Sequence, residues 1–218
     1  MEIKNNFLIN NLEEKNFNLN EQYENKKEAI WAEDMQYVAE KALTSISEDF
    51  IELKKLINCI SNGKWLSRFY SRIFDRKMTL IPHPEYVTEI VRDSNTGDYL
   101  NKSGKFLSDF DVNAARDGLH IFGEVRFDHH NDRAIDFVII NKKNSFLKKY
   151  AIEIQTNKGH LLPMEKHRDC ILGRYINLRT DYTYLEYSSV EIFNDSNISS
   201  IDELVDDLEF GYNSLNYL

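Results

Sequence analysis

Apolar positions recur at helical spacing twice in the first third of the chain. Ala29, Ile30, Met35, Val38, Ala39 and Ala42 form one series, and Phe50, Leu53, Leu56, Ile57 and Ile60 a second that Gly63 closes. Trp65, Phe69, Tyr70, Ile73 and Phe74 predict a third, shorter helix. Between 78 and 118 no period holds. Pro82 and Pro84 interrupt it and Ser94 to Gly97 is turn chemistry, so short strands or loops are expected there. From residue 119 the period becomes two. LHIFGEVRF (119–127), RAIDFVII (133–140) and KYAIEIQ (149–155) read as strands, joined by the turn DHHND and the polar loop NKKNSFLK. Pro163 opens a helix to about Leu178, TYLEYSSVEIF (183–193) returns to strand, and SIDELVDDLEFGYNSL closes as an acidic helix. Helices followed by β-β-β-α-β-α predict an α+β or α/β fold in which helices flank a mixed sheet. The expected division is an N-terminal helical segment at 1–77 and an α/β domain at 78–218.

The two strands on either side of NKKNSFLK carry the candidate chemistry. If they form a hairpin centred between Asn144 and Ser145, facing residues have numbers that sum to 289, and Asp136 faces Glu153. Period two places Gln155 on the same face. It places Ile135, Phe137, Ile139, Tyr150, Ile152 and Ile154 on the other, to be buried against helices. Two carboxylates inside an apolar strand pair repel one another and are poorly solvated. A hard divalent cation with oxygen ligands, Mg2+ or Mn2+, resolves that conflict, and phosphodiester hydrolysis is the chemistry such an ion serves. Spacing alone equally allows a pair of edge carboxylates at the solvated end of a sheet. In either case, removing one carboxylate from the metal-free protein is expected to relieve repulsion and to leave stability unchanged or slightly raised.

Charge changes this picture by its distribution. The formal net charge is −9, yet residues 141–180 carry 9 basic and 3 acidic groups, and residues 181–218 carry no basic and 9 acidic ones. The basic block surrounds the candidate site, as expected of a cleft that attracts a polyanion. The acidic end reads first as a solvated helix, with a docking element or an inhibitory DNA mimic as alternatives. With 13 Phe, 12 Tyr, 2 Trp and only 3 Pro the chain has ample material for a core. Cys59 and Cys170 show neither metal spacing nor a disulfide framework. The first residues lack a signal-peptide pattern and no run reaches about 18 apolar residues, so a cytoplasmic protein with no membrane partner is expected.

The run IDFVII, a short loop and YAIEIQ resemble the core of the PD-(D/E)XK nuclease superfamily, with an Asp on one strand and Glu-x-Lys on the next. More narrowly they are similar to the branch of very-short-patch-repair-like endonucleases. That branch shows "DFV", then "AIE", a His a few residues on, and a helix with Asp and Arg. Those positions here are Asp136, Phe137 and Val138; Ala151, Ile152 and Glu153; His160; and Asp169 and Arg174. YLEY at 184–187 matches the closing strand. The similarity spans roughly residues 119–193. It implies a restriction-endonuclease-like core and a Mg2+ or Mn2+ site held by Asp136, Glu153 and the carbonyl of Ile154. The chain departs from the pattern at the Lys, which is Gln155 here. Some restriction endonucleases of the superfamily share that Gln and are active. Gln can orient a water but supplies no charge.

Further residues bear on the same reading. Glu124 is a third carboxylate on the preceding strand, and Lys158 is positioned to supply charge from the loop. His160 is positioned to contact phosphate, and Lys166 and Arg174 lie along one helix face with Asp169, facing nucleic acid. For each, a solvated surface residue is the competing account. Asp128, His129, His130 and Asp132 read as turn chemistry. The function expected is a metal-dependent endonuclease acting on nucleic acid, DNA before RNA, as a homodimer or a subunit of a defence complex. The competing function is a nuclease-fold module that binds nucleic acid or a partner without cutting.

Overall fold

In the computed structural model, residues 33, 36, 37, 40, 48–92, 99–102, 105–126, 134–143, 146–155, 163–188 and 200–213 are described. In chain order the elements are α1 (Glu48–Cys59), α2 (Gly63–Asp75), β1 (Leu80–Pro82), β2 (Glu89–Arg92), β3 (Tyr99–Lys102), β4 (Gly118–Arg126), β5 (Ala134–Lys143), β6 (Phe146–Gln155), α3 (Pro163–Arg179), β7 (Thr183–Ser188) and α4 (Ser200–Asn213). Short 3-10 turns lie at Pro84–Tyr86 and Leu107–Asp109. Five strands form one sheet in the order β1-β4-β5-β6-β7. β5 is antiparallel to both neighbours, and the outer pairs β1–β4 and β6–β7 are parallel. β2 and β3 make a separate antiparallel ribbon. The fold is a mixed α/β architecture, and the β-β-β-α-β-α order is the one expected.

Both faces of the sheet are covered, which is why the strands are so apolar. On one face, Leu53 and Leu56 of α1 and Leu66 and Phe69 of α2 pack with Ile121, Phe137, Ile139 and Ile152. Trp65 stacks on Phe137 at 4.4 Å between centroids. The helices before residue 77 therefore share one core with the sheet. On the other face, Leu172 and Ile176 of α3 cover Val138, Ile140 and Ala151. Each fully buried side chain of this size contributes about 2 kcal/mol.

Three expectations change. The polar loop NKKNSFLK is mostly strand, because Asn141, Lys142, Lys143, Phe146, Leu147 and Lys148 all extend the hairpin ladder. Its polar groups find partners there. Asn141 donates to the carbonyl of Leu208 at 3.1 Å, and Lys142 to the carbonyls of Asn113 and Ala115. Gly63 opens α2 instead of closing α1. The acidic terminal helix is docked and not simply solvated. Ile201, Leu204, Val205 and Leu208 are buried at i, i+3, i+4 and i+7. Its outer carboxylates meet cations: Asp202 pairs with Arg72 at 3.1 Å, Asp206 and Glu209 with Arg76, and Asp207 with Lys148 at 2.7 Å. Burial raises the Asp207 carboxyl, but bonds from Lys148 and Tyr150 outweigh it and hold the group below its ordinary value.

The first helical series lies outside the described residues except for Glu33, Gln36, Tyr37 and Glu40, which are helical. Ser94–Gly97 and 189–193 also lie outside them. Among the described residues no helix is long and apolar enough to cross a membrane.

Candidate metal site at the β5–β6 fork

Two glycines shape the α1–α2 turn: Gly63 lets α2 begin close against α1, and Gly123 lets the turn press onto β4. A Cβ on Gly63 would lie 2.6 Å from the carbonyl oxygen of Ile57, and one on Gly123 would lie 2.9 Å from Cγ2 of Ile60. The turn so placed carries Ser61 and Asn62. Beneath it, β4 adopts a left-handed conformation at Glu124, with φ of 44°. The β4–β5 ladder runs through Gly123↔Phe137 and resumes at Val125↔Ile135, passing over Glu124 and Asp136. A left-handed residue inside a strand reverses the alternation of faces. Val125 and Ile135 therefore join the α3-side core with Val138 and Ile140. This corrects the expectation that Ile135 shares a face with Phe137 and Ile139.

The same reversal turns both carboxylates toward the α1–α2 turn. Glu124 Oε1 accepts from the backbone N–H and the hydroxyl of Ser61. Asp136 Oδ1 accepts from Asn62 Nδ2 at 2.9 Å, and Oδ2 accepts from the N–H of Ile154 at 2.7 Å. A side-chain oxygen thus takes the place of a backbone acceptor where the β5–β6 ladder ends. Turn, β4, β5 and β6 meet at this fork.

The β5–β6 register runs from Lys143↔Phe146 to Phe137↔Ile152. All these pairs sum to 289, the register expected, and the ladder ends one position short of Asp136 and Glu153. Those two side chains leave the sheet differently. Asp136 turns to Asn62 on the α1–α2 side. Glu153 alternates with Ile152 and Ile154, which belong to the α1–α2 core, and starts from the α3 side. It is 4% exposed. Asp169, one turn before Leu172 on α3, is 1% exposed and also faces the sheet. Gln155 is half-buried, paired with Ser188 at the end of β6. Ile154 offers its N–H to the site.

The basic residues are arranged otherwise than charge counting implies. Lys142, Lys143, Lys148 and Lys149 lie toward the hairpin end, about 13–23 Å along the strands from Asp136 at 3.3–3.4 Å per residue. Three of them are engaged there: Lys142 by the backbone carbonyls, Lys148 by Asp207, and Lys149 by Asp181 at 2.7 Å. Arg174 is exposed while Asp169 is buried, so these two residues of α3 do not share a face. Lys166 lies in α3, its side chain outside the described residues, as are Lys158, His160 and the cluster Asp128, His129, His130 and Asp132.

The Ser61–Asn62 pair is the part of the site that sequence reading missed. Asn-Gly at 62–63 is the signal, but it registers there only as punctuation between helices.

A second buried polar group lies four residues back along β4. His120 Nε2 meets the carbonyl of Arg116 at 2.8 Å, and His120 Nδ1 meets His83 Nε2 at 2.9 Å. A nitrogen facing a carbonyl must carry the proton, so Nδ1 accepts and His83 donates. Burial pushes His120 down to about 4, and it lowers His83 against the opposing pull of Glu85. His83 stacks on Phe122 at 4.5 Å inside an aromatic cluster, and its Nδ1 meets Glu85 Oε1 at 3.2 Å.

No family model, no curated protein and no solved structure matches this chain.

Proposed function

We propose that the chain is a metal-dependent nuclease of PD-(D/E)XK type with a restriction-endonuclease-like core, and that the β5–β6 fork is its active site. The observation that carries this reading is Asp136. It is an ionisable group one position beyond the last pair of the β5–β6 ladder, where the two strands part, and its two oxygens are each met by a neutral N–H donor. Each carboxylate oxygen has a second lone pair, so both bonds can persist while a cation is held.

The donor set fits a hard cation. Among the described residues no three His, Cys, Asp or Glu side chains converge on one point. Mg2+ asks for less, since it takes one or two carboxylates and completes its shell with water and substrate phosphate. Asp136 and Glu153 would hold it, with the Ile154 carbonyl as a further oxygen. A bound Mg2+ or Mn2+ supplies polarisation of a phosphoryl oxygen and a water of lowered pKa. Gln155, two residues beyond Glu153, orients the attacking water by hydrogen bonding, and Glu124 adds negative charge beside Asp136. The substrate is a nucleic acid, DNA before RNA. Arg174, Lys166, Lys158 and His160 are the groups available to bind its phosphates, whereas the hairpin lysines are too distant.

Purified protein should cleave DNA with Mg2+ or Mn2+ and lose that activity in EDTA and in Asp136→Ala. Absence of metal-dependent cleavage across single- and double-stranded DNA and RNA would favour a second reading, a nuclease fold retained for binding. Gln155, at the position where the family carries Lys, is the observation on that side.

A further inference from the structure

We infer that Asn62 is a positioning residue for Asp136, an inference that rests on the metal-dependent reading above. Asn62 occupies the N-cap of α2, where an Asn side chain ordinarily accepts from the first-turn N–H groups of its own helix. Here it makes no such bond, and its backbone (φ −95°, ψ 31°) is not in the extended conformation of a capping residue. Its Nδ2 reaches across to β5 instead and donates to Asp136 Oδ1 at 2.9 Å. The helix start gives up a favoured cap, and the sheet gains an oriented carboxylate.

The surroundings are built for that reach. Gly123 brings the turn within contact of β4, and Gly63 lets α2 start close against α1. Ser61, one residue earlier, binds Glu124 from the same turn. With the Ile154 N–H on its other oxygen, the Asp136 carboxylate is held from two directions, which fixes its plane. The donor type matters. An amide orients the carboxylate without bringing positive charge, so the acid stays attractive to a divalent cation. A Lys or Arg at this place would compete with the metal instead.

Two variants separate positioning from helix capping. Asn62→Ser offers a hydroxyl able to cap α2 but is too short to reach Asp136, and Asn62→Ala loses the bond to Asp136 and offers no cap. In metal-free, isotope-labelled protein the amide resonance of Ile154 reads the carboxylate to which it is bonded. Calorimetric titration with Mn2+ alone reads the site's affinity. Both variants should shift the Ile154 resonance and weaken Mn2+ binding about tenfold, the equivalent of one charged hydrogen bond. Asn62→Ser should unfold in urea at a lower midpoint than wild type but with the same m value, the loss of one bond and not of the fold. Wild-type values of both readouts in Asn62→Ser would overturn the inference. Should the wild-type protein bind no Mn2+, the metal-dependent reading fails. The Ile154 resonance of Asn62→Ser then decides alone: a shift upholds Asn62 as the group that holds Asp136, and no shift overturns it.

Discussion

Asp136→Ala in the metal-free protein sets two effects of opposite sign against each other. The substitution removes the repulsion between residues 136 and 153. For carboxylates about 8 Å apart at an effective dielectric of about 20, that relief is roughly 2 kcal/mol. It also removes the acceptor of two N–H donors, Asn62 Nδ2 and the Ile154 amide. Hydrogen bonds to a charged acceptor contribute about 1.5–3 kcal/mol each, so their loss costs about 3–6 kcal/mol. The bonds win, and the variant should be about 2 kcal/mol less stable, the reverse of what repulsion alone implies. Urea unfolding in EDTA at pH 7.5 measures this, with equal m values as the check that the comparison is two-state. Asp136→Asn keeps one good acceptor and should fall about midway. Adding Mn2+ at about 100 times its Kd should raise wild-type stability by about 2.7 kcal/mol and leave Asp136→Ala unmoved. An Asp136→Ala protein as stable as wild type in EDTA would refute the hydrogen-bonding account of the fork.

Three further outcomes test neighbouring features. Burial lowers His120 from 6.5 to about 4, so the unfolded chain takes up the proton first as pH falls. The stability that the neutral His120 contributes is therefore complete above pH 6.5 and lost toward pH 4, by up to about 3 kcal/mol. In urea titrations His120→Leu should flatten this slope, and an unchanged slope would assign it to other groups. Glu124→Gly should be about 1 kcal/mol more stable than Glu124→Ala in thermal unfolding, because φ of 44° suits glycine alone. The usual order for a strand, with Ala above Gly, would mean that the left-handed turn is absent. Gln155→Lys should keep or raise the rate of metal-dependent cleavage and Gln155→Ala should lower it at unchanged Mn2+ affinity. A wild-type rate in Gln155→Ala would remove Gln155 from the site.

What could be read directly was local and periodic. Period two from residue 119 marked β4, β5 and β6, and the symmetric placement of IDFVII and YAIEIQ about a point between Asn144 and Ser145 set the hairpin register that the structure contains. Register is specified where a one-residue slip would exchange the side chains of the two faces and so misplace polar and apolar groups, as it would for Asn141 and the lysines of this hairpin. Asp136 and Glu153 could be paired on paper for that reason. The amphipathic spacing of Ile201, Leu204, Val205 and Leu208 was equally visible, but only a neighbouring sheet and the cations Arg72, Arg76 and Lys148 show that the acidic helix is docked.

The sequence by itself thus determined the class of fold and the hairpin at whose open end the two carboxylates lie. It could not reveal which way those carboxylates point. That depends on a reversal of face at Glu124, and a left-handed glutamate has no signature in composition or period. Nor could it show that Ser61 and Asn62, 63 and 74 residues from their partners along the chain, supply the donors. Such contacts are selected by the close packing of the α1–α2 turn onto β4, which Gly123 allows. The lysines make the same point about charge: 141–180 is basic in sequence, but strand geometry carries four of its lysines to the far end of the hairpin. Local propensity operates within a few residues along the chain, whereas the positions of donors and charges at a site are set by packing between distant segments, which only the tertiary structure decided.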